Sequence, residues 1–172
     1  MDNNDILIRL RYALDIKNSD MLKIFKLGGV ETTPEELKKL LTRTEESYDF
    51  VDDGSQESKD YLKCTNPMLE SFLNGLIVFR RGPQERREGE PETPPLSLKE
   101  GKNPNNLMLK KLKIALALTS EEMLAVYAKA GVKVTKGELG ALLRNEGHKN
   151  YRVCLDKYAR SFLKGLTLMN RK

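Results

Sequence analysis

The chain has 172 residues, 39% hydrophobic and 32% charged, with no Trp and a net charge of +5. That is enough for one good core or two small ones, built of Leu, Ile, Val and Met rather than aromatics. No apolar run approaches the roughly 20 residues a membrane helix needs, and the polar start Met1-Asp2-Asn3-Asn4-Asp5 does not read as a signal peptide. A single His and two Cys offer no zinc-ligand spacing. The expectation is a cytoplasmic protein with no membrane association, no metal and no other cofactor.

Taken in order, Asn3 or Asn4 is a candidate cap for a first helix whose Ile6, Leu7, Leu10, Ala13 and Leu14 recur at helical spacing. Asn18-Ser19-Asp20 reads as its stop and as the cap of a second helix carrying Met21, Leu22, Ile24 and Phe25. Gly28-Gly29 ends that helix. Thr32-Thr33-Pro34-Glu35-Glu36 starts a third, with a hydroxyl cap, Pro in the first turn and acids beside it. Residues 45–60 are acidic and turn-rich and are expected to form an exposed, mobile loop. Asn66-Pro67 then caps a fourth helix from Met68 to about Arg80.

Residues 82–104 hold five of the seven prolines, so they read as a linker whose end docks through Leu96 and Leu98. From Asn105-Asn106 the pattern begins again. At an offset of 102, Asn4, Leu7, Leu10, Met21, Gly29, Thr33, Glu36, Leu37 and Leu40 meet Asn106, Leu109, Leu112, Met123, Gly131, Thr135, Glu138, Leu139 and Leu142. Beyond the acidic loop the offset is 90: Tyr61, Cys64 and Ser71-Phe72-Leu73-Asn74-Gly75-Leu76 match Tyr151, Cys154 and Ser161-Phe162-Leu163-Lys164-Gly165-Leu166. The expected fold is all-α, a tandem duplication of a four-helix unit of about 70 residues, the two copies packed with pseudo-two-fold symmetry. The expected divisions are residues 1–82, a first repeat; 83–104, a Pro/Gly-rich linker; and 105–172, a second repeat. Cys64 and Cys154 read as buried, reduced thiols.

Gly75 and Gly165 sit inside strongly helical patterns, where glycine costs about 1 kcal/mol relative to alanine. Their recurrence beside Phe72 and Phe162 marks a place where another backbone comes close. The expectation is that the two motif helices lie deep and cross one another near the internal axis.

Laid out this way, the chain resembles the YehS-like family of bacterial proteins, a conserved domain of unknown function that comes as a tandem pair. The resemblance rests on Asn-Asp-Ile-Leu-x-x-x-Arg-Tyr at 4–12, Ser71 to Ile77, Asn106 with Leu109-Lys110-Lys111-Leu112, and His148-Lys149-Asn150-Tyr151-Arg152-x-Cys154. It implies a compact helical protein and brings with it no activity and no functional residues. The acidic loop and the linker are longer here than in the family pattern.

Charge is unevenly spread: residues 1–60 net −5, residues 61–108 net +1 and residues 109–172 net +9. Lys149, Arg152, Lys157, Arg160 and Lys164, together with Lys110, Lys111, Lys113, Arg171 and Lys172, are the candidate contacts for nucleic acid or another partner. The second and third helices of each copy loosely resemble a helix-turn-helix, but Gly137, Gly140 and Ala141 offer little to base edges and Glu35 and Glu36 would repel phosphates. His148 has no counterpart in the first copy and no Ser, Cys or carboxylate pair beside it, so no catalytic set is assigned. The reading is a non-enzymatic binding or interaction module with a protein partner or a second copy of itself. Nonspecific nucleic-acid binding through the basic second repeat is the alternative.

Overall fold

The structure is a computed structural model that describes residues 1–43, 61–82, 96–99 and 102–171. The acidic stretch 45–60 lies outside the described residues, as does most of the linker. Among the described residues there are eight helices and no strand: α1 (Asn3–Ala13), α2 (Asn18–Leu27), α3 (Pro34–Leu40), α4 (Asn66–Arg81), α5 (Asn105–Ala115), α6 (Ser120–Lys129), α7 (Lys136–Leu143) and α8 (Asp156–Asn170). None is long and apolar enough to cross a membrane.

Local chemistry sets most boundaries. Capping boxes open α3, α6 and α7, where Thr33, Thr119 and Thr135 exchange hydrogen bonds with Glu36, Glu122 and Glu138. Thr65, rather than Asn66, caps α4, accepting from the Met68 amide. Lys17 precedes α2 with no side-chain cap bond, and Asn18 instead accepts from Arg11 Nε at 2.7 Å. After α1 and α5 the chain turns through a left-handed residue at equivalent places, Asp15 and Ala117, each with φ of 51°.

The asparagines expected to cap α1 do something else. Asp2 is the cap, and Asn4 is buried at 1% exposure. Its Nδ2 donates to the carbonyls of Leu40 (3.0 Å) and Leu62 (2.8 Å), and its Oδ1 accepts from the Cys64 amide (2.9 Å). Asn106 repeats the arrangement with Leu142, Arg152 and Cys154. Asn3 and Asn105 add bonds to the carbonyls of Cys64 and Cys154, so each Asn-Asn pair fixes the extended segment that leads into its repeat's last helix. Both cysteines are buried, and burial pushes the Cys154 thiol up to about 12.

Within each repeat the second helix crosses the last. A Cβ added at Gly75 would fall on the Ile24 carbonyl of α2, and one at Gly28 on the Ser71 carbonyl of α4. One added at Gly165 would fall on the Val126 carbonyl of α6. The close approach is therefore present, but each glycine meets the second helix of its own copy, not the other motif helix. Phe25 packs on Phe72 and Tyr127 on Phe162 at these crossings, with ring centroids 4.9 and 5.4 Å apart.

Between repeats the first helix of each lies against the last helix of the other: α1 on α8, and α5 on α4. Equivalent bonds tie the two seams. Arg171 Nε donates to the Tyr12 carbonyl at 2.7 Å, and Arg81 Nη1 donates to the Ile114 carbonyl at 3.1 Å. One continuous core results, including Leu7, Leu10, Phe72, Leu109, Leu112 and Phe162.

Polar groups hold the end of the linker; of its two leucines Leu96 is exposed and Leu98 half-buried. Buried Glu70 accepts from the amides of Ser97 and Leu98 and from the Ser97 hydroxyl, at 2.7 to 3.0 Å. Asn66 Nδ2 donates to the carbonyls of Lys99 and Lys102.

Candidate anion-binding groove between the first and last helices

The α1–α8 seam is pinned at both ends and open between them. At one end the Met1 amine meets Asp156 at 2.9 Å, and Asn105 donates to the same carboxylate. Burial opposes the charged form of Asp156. Bonds from the Met1 amine and Asn105, with Arg160 nearby, outweigh it and hold the carboxyl below its usual range. At the other end Arg171 bonds the Tyr12 carbonyl, pairs with Asp15 at 3.2 Å and stacks its guanidinium 3.7 Å from the Tyr12 ring centroid. Asn170 adds a bond to the Ala13 carbonyl.

Between these ends lies a groove of about 620 Å³. Helical spacing explains its lining. Arg160 and Ser161 lie three and four residues after Lys157, Lys164 lies four and three after them, and Thr167 three further on, so all five share one face of α8. Ile8, Arg9 and Tyr12 project from α1 beside the core stripe of Leu7 and Leu10, and Arg43 enters from the chain after α3. Five cationic side chains thus surround a partly apolar floor that includes Ile8 and Leu163. Ser161 and Thr167 spend their hydroxyls on carbonyls one turn back, at Lys157 and Leu163.

The cations sense one another. Burial, first, and then repulsion from Arg43 and Arg160 hold the Arg9 guanidinium below its ordinary value, with Asp5 opposing them. Such a cluster attracts negative charge, and its apolar floor adds contact area. The lining side chains include no carboxylate, thiol or imidazole.

Of the candidate contacts from the sequence, Lys157, Arg160 and Lys164 meet in this groove. Lys149 and Arg152 are exposed in the segment before α8 and do not line it. Lys110 reaches Asn145, and Lys111 lies at the other seam. There burial, offset by Glu70, holds the Lys111 ammonium low. The basic second repeat is therefore not one surface. Arg9 and Arg43 come from the acidic first repeat, where net charge gave no reason to look. No local pattern in the sequence marks them, because they meet α8 only through the fold. His148 takes a local role, its Nδ1 accepting from the Asn150 amide, and no group of acids, His or Cys that could hold a metal occurs among the described residues.

Comparison with known proteins agrees with the repeated plan. No solved structure matches the chain. It is 36% identical over 166 residues, 96% of this chain and 94% of the other, to "Uncharacterized protein YehS" of Escherichia coli (strain K12). A family described as "Protein of unknown function (DUF1456)" matches it twice, over residues 3–82 and 105–172. Matched over both of its copies, the chain belongs to that family.

Proposed function

We propose that this protein is a non-enzymatic binding module that takes a negatively charged partner in the α1–α8 groove. The observation that supports this reading is the convergence of Arg9, Arg43, Lys157, Arg160 and Lys164, drawn from both repeats, around one partly apolar cleft. Helix surfaces are commonly charged, but like charges gathered about a concavity raise the local potential and draw in an opposite charge. Nonspecific nucleic-acid binding would use three of the same cations. Against it, Lys149 and Arg152 lie off the groove, and one face of Tyr12 is covered by Arg171, which weakens the stacking platform single strands favour.

The test is retention on immobilised heparin. Lys157 and Lys164 are exposed, so Lys157→Glu with Lys164→Glu leaves the core untouched. The double variant should elute at lower salt than the parent, since exposed charges act within a Debye length of about 10 Å at 0.1 M salt. Elution at the same salt would overturn the reading.

A further inference from the structure

The two seams are copies of one design, and one of them already holds a ligand. At the α4–α5 seam that ligand is the chain itself: residues 97 and 98 run over Glu70 and offer it two backbone amides and a hydroxyl, and Asn66 takes the following carbonyls. Translated by 90 residues along the last helix, Pro67, Glu70 and Asn74 become Lys157, Arg160 and Lys164. Translated by 102 along the first, Ile114 and Lys111 answer to Tyr12 and Arg9. The equivalence is structural as well as sequential, because Arg81 to Ile114 and Arg171 to Tyr12 are the same bond at each seam. The acceptor that grips residues 97 and 98 is thus replaced by a donor, with two further cations a turn to either side. The groove lies along this second seam.

We propose that the α1–α8 groove binds an extended acidic peptide segment of a partner protein, laid along α8 as residues 97–99 are laid along α4 from Glu70 to Asn66. This rests on the anionic-partner reading and names its ligand. A receptor of inverted polarity calls for a ligand of inverted polarity: carboxylates in place of amides. Spacing agrees. Arg160 and Lys164 are four residues apart, about 6 Å along a helix, and alternate residues of an extended chain are about 6.6 Å apart on the same side. A Glu-x-Glu pattern on one side of an extended segment therefore meets both cations, while the residue between them points away from the groove.

The experiment measures anisotropy of a fluorescein-labelled peptide of alternating Glu and Ser in a Gly-Ser background, titrated with the full chain. Its controls are the peptide with Gln for Glu and an oligothymidylate of equal length. The Glu peptide should bind, the Gln peptide should not, and Arg160→Glu should weaken binding roughly tenfold or more, equivalent to about 1.4 kcal/mol. Lys164→Glu, at an exposed position, gives the same reading should Arg160→Glu fail to fold. With both reversed, the peptide carrying Lys for Glu should now bind. Equal binding of the Glu and Gln peptides, or no effect of either variant, overturns the proposal. Tighter, variant-sensitive binding of oligothymidylate also overturns it but leaves the anionic reading standing. Loss of the heparin difference removes both.

Discussion

A single hydroxyl distinguishes the two helix crossings. Phe25 fills the first, and at the same place in the second Tyr127 is fully buried with its hydroxyl unpartnered among the described residues. Burial also pushes its phenol above the ordinary value, so it stays protonated. An unsatisfied buried hydroxyl costs about 1–3 kcal/mol, and the first copy shows that a phenyl ring fits. Tyr127→Phe should therefore raise the thermal midpoint, with a gain of about 1 kcal/mol, and an unchanged or lower midpoint would mean the hydroxyl is satisfied. The buried asparagines show the opposite economy: Asn4 spends four hydrogen bonds, and Asn106 three, on backbone that no helix satisfies. Sequence reasoning took Asn4 for a cap because asparagine favours that position. Its true partners, 36 to 60 residues away, leave no local trace.

At the scale of the element, apolar periodicity and the repeat are enough to place the helices, whereas capping chemistry marks the starts of α3, α6 and α7 through their Thr-x-x-Glu boxes and misassigns those of α1, α2 and α4. The glycine crossings were legible only in part. That Gly75 and Gly165 admit a second backbone follows from their place inside apolar helices; which backbone does not, because α2 and α6 carry no complementary mark beyond Gly28. The partner assignment changes the expected energetics. Gly75→Ala and Gly165→Ala should each destabilise, since the added Cβ meets a carbonyl that must move. Overpacking costs typically 1–3 kcal/mol, against a helix-propensity gain of about 1 kcal/mol. Because the two glycines face different helices, the double variant should be additive within about 0.5 kcal/mol. Denaturant titration of the three variants decides it, and strong coupling would restore a direct crossing of α4 and α8. The groove was the least legible feature: the charge of a segment is a sum along the chain, whereas a binding face gathers side chains from several segments.

For the molecule as a whole, the reciprocal seams matter more than either repeat. The first helix of each copy finds its main cover on the last helix of the other. Neither half therefore encloses its own apolar stripe, and a repeat expressed alone would expose Leu7 and Leu10, or Leu109 and Leu112. Opening the backbone between residues 83 and 95 should thus cost little structure. The two pieces, 1–82 and 96–172, are expected to co-purify as a one-to-one complex whose helical signal exceeds the sum of the separated pieces. Independent folding of both pieces, with no association, would show that each has a self-sufficient core. The interlocking of first and last helices makes this chain a natural split protein, a pair of fragments that regain their shape only in each other's company and so report on whether their carriers have met.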